Sequence, residues 1–101
     1  MTQARIKHVA DVATNMPFAD FWLQRRGSDQ TVGRVERDTF NVVAGRIEDI
    51  GIRVIRTDIV DARYLSYWFE NLWNQGYWRS HNHGTLRLRH ITVSDVKNLK
   101  I

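Results

Sequence analysis

The fold class predicted for this chain is α+β: a small mixed β-sheet with a first short helix, one long aromatic-rich helix and a short C-terminal helix. Three features carry that prediction. Apolar residues recur at helical spacing after Asp61, β-branched runs between residues 21 and 56 are bracketed by turn formers, and a capping-box pattern opens at Thr92. At 101 residues the chain has room for a single domain, 1–101, because chains of this size bury only about two thirds of the surface they expose when unfolded.

Taken in order, Ile6, Val9, Ala10 and Ala13 fall on one helical face, and Asn15-Met16-Pro17 stops the helix because the residue before proline is pushed out of the α region. The spacing predicts a first helix over residues 3–14. Residues 21–25 and 32–36 read as strands separated by Gly27-Ser28-Asp29, a cluster of turn formers, which makes them a hairpin. Residues 39–44 and 52–56 are β-branched runs bracketed by Gly45 and by Asp49-Ile50-Gly51, so they add two strands to the sheet. Asp61 can cap a helix in which Leu65, Trp68, Phe69, Leu72 and Trp73 form the apolar stripe, Ser66, Glu70, Asn74 and Gln75 the other side, and Gly76 the end. Tyr64, Tyr67, Tyr77 and Trp78 lie off that stripe and are the aromatics expected at the surface. Thr92, with Asp95 three residues on, opens a last short helix that buries Val96 and Leu99.

Composition excludes several classes. The chain is 43% hydrophobic, with four Trp, three Tyr and four Phe and no low-complexity tract, which is enough apolar matter to fold. No window approaches the roughly 18 uncharged apolar residues that span a bilayer, and residues 1–12 carry Arg5, Lys7 and Asp11 where a signal peptide needs an apolar run. The expected location is cytoplasmic. With no Cys there is neither a disulfide framework nor thiolate chemistry.

Charge is uneven. Residues 1–50 hold seven basic and seven acidic side chains and residues 51–101 hold eight and four, so the net charge of +4 belongs to the second half. Twelve of the fifteen cations are Arg, whose planar fork pairs bidentately with phosphate or with guanine, as Lys cannot. The segment Tyr77-Trp-Arg-Ser-His-Asn-His-Gly-Thr-Leu-Arg-Leu-Arg-His90 contains three Arg, three His and no acid. Within it, Leu86-Arg87-Leu88-Arg89 alternates at period two, which predicts a strand with both leucines inward and both arginines outward, preceded by a loop hinged at Gly84. Such a row suits a phosphate backbone; the plainer reading is charge that protects a strand edge.

Catalytic signals are weak. His81 and His83 with His90, completed by Asp95 or Glu70, are the candidate metal ligands, but they lack the helical i, i+4 geometry or cysteine partners of such a site, and the neighbouring arginines would repel a cation. No Gly-rich phosphate loop, Ser-His-Asp order or carboxylate pair stands out. The expectation is a protein without catalytic residues, metal or cofactor.

Four motifs in order then carry a resemblance. They are Arg26-Gly-Ser-Asp-Gln-Thr-Val-Gly-Arg34; Asp61-Ala-Arg-Tyr-Leu-Ser-Tyr-Trp; Gly84-Thr85; and His90-Ile-Thr-Val-Ser-Asp-Val-Lys-Asn-Leu99. Across residues 19–101 the chain resembles a target-recognition domain of the DNA-specificity subunit of type I restriction-modification systems, with its Gly-Ser hairpin, Asp-Pro-x-Tyr-Leu-x-Tyr-Trp helix start and His-Ile-Thr signature. It departs from that pattern at Ala62, which replaces the proline, and in the few residues between its first helix and the hairpin, where the family has several tens. The resemblance implies a compact domain with a small mixed sheet that recognises double-stranded DNA for a methyltransferase and a translocating nuclease. The partners it implies are duplex DNA, a methyltransferase subunit and, since such subunits carry two recognition domains, a second copy forming a homodimer.

The residues expected at DNA are Arg25, Arg26, Arg34, Arg79, Arg87 and Arg89 on phosphate, with Ser28, Gln30, His81, Asn82 and His83 on base edges or sugar. The alternative is a protein-interaction or oligomerisation module of the same fold that no longer reads DNA, using exposed Trp22, Tyr77 and Trp78. The two differ in surface: DNA binding needs Arg79, Arg87 and Arg89 on one face with Arg25 or Arg26, whereas protein binding needs an apolar patch of several hundred Å².

Overall fold

The structure is a computed structural model that describes residues 4–37, 48–85 and 87–101. It is α+β, with both helices and sheets. The strand expected over residues 39–44 lies outside the described residues. Helix α1 (Ile6–Val9) buries Ile6 and Val9 and passes directly into strand β1 (Ala10–Thr14). The helix expected over residues 3–14 is therefore a single turn followed by a strand. Ala10 and Val12 are buried while Asp11 and Ala13 are exposed, a period of two that competes with the helical spacing in so short a run. β-branched Val12 and Thr14, and a strand partner far along the chain, decide for the strand.

That partner is β5 (Ile50–Val54), the centre of a four-stranded sheet ordered β1-β5-β2-β4, with β2 (Phe21–Leu23) and β4 (Val35–Glu36). Every strand pair among the described residues is antiparallel and falls into one of two sheets, so the expected single mixed sheet is corrected. β5 begins two residues earlier than expected, and Ile55 and Arg56 are exposed beyond it. The hairpin of β2 and β4 forms as its turn chemistry requires, with Leu23 opposite Val35 and the Gly33 amide donating to the Gln24 carbonyl at 2.8 Å.

One face of the sheet presents Phe21, Leu23, Ile50, Ile52 and Val54 to helix α2 (Ala62–Asn74). Asp61 caps α2 through the amides of Arg63 and Tyr64, and Val60 and Leu65, one residue before the cap and four after it, are both buried, the arrangement of a hydrophobic staple. Leu65 and Phe69 are fully buried, and the Phe69 ring lies 5.8 Å from that of Phe21. Trp68, Leu72 and Trp73 pack partly buried around them. Ser66, expected on the outer side, is buried instead; its hydroxyl donates to the Arg63 carbonyl and accepts from Arg37 Nε. The opposite face of the sheet carries Trp22, covered by Met16 and Ala19, so Trp22 is not a surface aromatic.

Gly76 (φ 81°) ends α2 as expected and opens the short helix α3 (Tyr77–Ser80). Trp78, expected at the surface, is 1% exposed, whereas Tyr64 and Tyr67 are exposed as expected. The Trp78 indole lies against Gly33, whose φ of +82° also disfavours any side chain there. A second sheet, ordered β3-β7-β6, is formed by β3 (Arg26–Gly27), β6 (His83–Gly84) and β7 (Arg89–His90). Helix α4 (Val93–Lys97) has the Thr92–Asp95 capping box and buries Val96, with Leu99 buried beyond it. The Ile6 amide bonds to the Leu99 carbonyl at 2.9 Å, which ties the start of the described chain to its end. Among the described residues, no helix is long and apolar enough to cross a membrane.

Candidate nucleic-acid interface

The second sheet decides where the cationic segment goes. Gly27 and Gly84 both lie opposite Arg89, and both pairings are antiparallel. The chain therefore leaves β3, leaves β6 and enters β7 at one end of the sheet, and residues 28–30 emerge there beside Thr85, Arg87 and Leu88. Sequence reading found both stretches but had no signal for this pairing, which joins residues more than sixty positions apart through strands of two residues.

Each turn is fixed from within. The Ser28 amide donates to Thr31 Oγ1 at 2.9 Å, the Ser28 hydroxyl accepts from the Gln30 amide at 3.2 Å, and the Gln30 side chain is exposed. In the facing turn, the Leu88 amide donates to Thr85 Oγ1 at 3.3 Å and the Thr85 amide to the Leu88 carbonyl at 3.2 Å. The expected 86–89 alternation is not found. Leu86 lies outside the described residues, Leu88 is 76% exposed, and the strand is confined to Arg89–His90. Closure of the turn across Leu88 and Thr85 breaks the period and sends Leu88 outward.

The six arginines separate into three kinds. Arg34, Arg79 and Arg87 are exposed and have no ion-pair partner among the described residues. Arg26 is exposed beside Glu48 at 3.6 Å, an exposed pair worth at most about 1 kcal/mol and open to exchange for phosphate. Arg25 is half-buried, its amide donating to Asp49 Oδ1 and its carbonyl accepting from the Ile91 amide, so its backbone joins the two sheets. Arg89, expected outward, is half-buried: Nη1 donates to Asn82 Oδ1 at 2.9 Å, and Nε is buried with no hydrogen-bond partner among the described residues. Arg89 is a strut of this sheet. Of Arg79, Arg87 and Arg89, expected together on one face, Arg89 is thus withdrawn into the sheet while Arg79 and Arg87 are exposed. Gly33 touches Trp78, so the chain positions of Arg34 and Arg79 are each one residue from that contact.

Asn82 is similarly engaged. Its Nδ2 donates to the carbonyls of Trp78 and Arg79, at 2.7 and 2.9 Å, while its Oδ1 holds Arg89. The exposed His81 ring is stacked on Tyr77, with centroids 4.1 Å apart and planes 8° apart, and its Nδ1 is 2.8 Å from the Tyr77 carbonyl. A carbonyl only accepts, so Nδ1 carries the proton there. His83 Nε2 donates to Asp95 Oδ2 at 3.0 Å, and its ring lies 5.5 Å from that of His90. Burial alone would raise the Asp95 carboxyl, but hydrogen bonds from Thr92 and His83 outweigh it and hold the group below the usual carboxylate range. Burial, with the nearby Asp95 charge, raises the Tyr77 phenol.

Tyr77, Trp78, His81, Asn82, His83 and Asp95 line an open cleft of about 220 Å³. Sequence reading placed three of them at the site; it considered Asp95 beside the histidines only as a metal ligand, and Tyr77 only as a surface aromatic, not as walls of a cleft. The Thr92–Asp95 spacing signals a helix cap, and nothing local to it signals a histidine twelve residues away. Among the described residues, no group of three His, Cys, Asp or Glu side chains is placed to hold a metal ion. Comparisons with protein-family models, curated proteins and solved structures found no match.

Proposed function

We propose that this chain is a non-catalytic module that binds double-stranded DNA in the manner of a type I target-recognition domain, one half of a specificity subunit. The observation that supports the reading is the pair of turns at one end of the β3-β7-β6 sheet, where residues 28–30 leave β3 and exposed Arg87 precedes β7, together with exposed Arg79 and Arg34, which have no ion-pair partner among the described residues. Exposed guanidinium groups without acidic neighbours attract phosphate at low cost, since no ion pair must be broken first. Adjacent polar loop tips can enter a groove once phosphate contacts have fixed the register. Arg34, Arg79 and Arg87 supply phosphate contacts, Arg26 supplies one after releasing Glu48, and Ser28, Gln30, His81 and His83 face the bases or sugars. Arg25, Arg89 and Asn82 act as scaffold. In this reading the chain works in the cytoplasm with a methyltransferase subunit or as a homodimer, either of which would provide a second recognition half.

The testing experiment is a mobility-shift titration of duplex DNA at two salt concentrations, with and without a methyltransferase subunit. Binding that weakens steeply with salt is expected; no binding under any of these conditions refutes the reading. A second reading, a protein-interaction module, is favoured by the exposed apolar side chains of Leu88 at the tip and Ile55, Ile59, Tyr64 and Tyr67 around the start of α2. On that reading Leu88→Ser weakens capture of the protein partner, and the salt dependence is shallow.

A further inference from the structure

We propose that the cleft between α3 and α4 receives one unpaired nucleobase, stacked on the open face of His81 and held at its edge by His83; this rests on the DNA-binding reading. His81 is already half of a stack. Tyr77 covers one face of the imidazole at 4.1 Å with the planes 8° apart, and because the residue is exposed, its other face is open to a third flat ring. The hydrogen bond from Nδ1 to the Tyr77 carbonyl fixes the ring plane in advance. Little side-chain freedom is then lost when a ligand stacks.

The edge chemistry suits a base. His83, whose Nε2 donates to Asp95, presents Nδ1 as an acceptor when its ring is neutral. An acceptor at the edge of an aromatic floor matches the exocyclic amino group of adenine or cytosine. Asp95 stays ionised in the cleft, accepting from His83 and the Thr92 amide at Oδ2, so the site suits the uncharged base and not its phosphate. Size narrows the ligand further: about 220 Å³ is below the roughly 300–1,000 Å³ of drug-sized sites and suits a single heterocycle.

Two measurements test this. In the first, fluorescence anisotropy compares a perfect duplex with one carrying a single bulged adenine. Wild-type protein is expected to favour the bulged duplex by on the order of tenfold, the preference should fall to about one in His81→Ala, and it should return in His81→Phe, which restores a stacking ring. Equal affinity of the wild type for both duplexes, or a preference that survives in His81→Ala, overturns the proposal.

The second measurement reads the cleft without any duplex: NMR titration with adenosine monophosphate and, separately, N-acetyl-tryptophanamide. Shifts at Tyr77, His81 and His83 with the nucleotide are expected, and they would support the cleft even if duplex binding failed. No shift with the nucleotide, or an equal or larger response to the tryptophan amide, overturns it.

Discussion

At Gly33, φ is +82° and the Trp78 indole occupies the place a side chain would take. Gly33→Ala is expected to lower stability by about 3 kcal/mol, combining left-handed strain with displacement of a buried indole. Urea denaturation measures it, and a loss under about 1 kcal/mol would mean that the ring moves freely. Asp95 does a different kind of work, capping α4 while it accepts from His83. Its folded-state carboxyl is held below the ordinary range, so its contribution is present above about pH 4 and is lost as pH falls through the depressed value. Asp95→Asn should therefore destabilise at pH 7, by about 1 kcal/mol, and the gap to wild type should close as the solution is acidified below about pH 4. Denaturation at several pH values reads this, and a gap independent of pH would contradict it. At this scale the cap was legible because Thr92 and Asp95 are three residues apart. The inward turn of Arg89 was not, since its partner Asn82 and the turn that reverses the period depend on tertiary pairing.

Among the elements, α2 was the most legible: its cap, its stripe and its closing Gly76 lie within one continuous stretch, so local chemistry and burial agree. Phe69→Ala removes the centre of the contact between α2 and the sheet and should cost about 3–5 kcal/mol in chemical denaturation. A cost near 1 kcal/mol would place the core elsewhere. The hairpin of β2 and β4 was legible from its turn residues, but α1 and β1 were merged into one helix because Ile6, Val9, Ala10 and Ala13 fit the helical period and the alternation of Ala10 with Val12 is too short to compete from sequence alone. What separates them is β5, forty residues away, whose Ile52 lies opposite Val12. The small β3-β7-β6 sheet was invisible for the same reason: two-residue strands carry no pattern, and only their pairing makes them strands.

Across the whole molecule, the excess of positive charge in residues 51–101 indicated where to look, but composition could not tell which arginines are free. Folding removes Arg89 and Asn82 into the scaffold, pairs Arg26 with Glu48, and leaves Arg34, Arg79 and Arg87 without ion-pair partners among the described residues. The salt-dependent part of DNA binding therefore rests chiefly on those three, with Arg26 adding to it once it releases Glu48, and Arg89 makes a poor test because reversing its charge would disturb the sheet. The most direct measurement is duplex affinity as a function of salt for wild type and for the Arg34→Ala, Arg79→Ala, Arg87→Ala triple variant. The account predicts weaker binding by the variant and a log-log slope shallower by about 0.9 for each of the three that meets a phosphate. Identical slopes and affinities in the two proteins would contradict it.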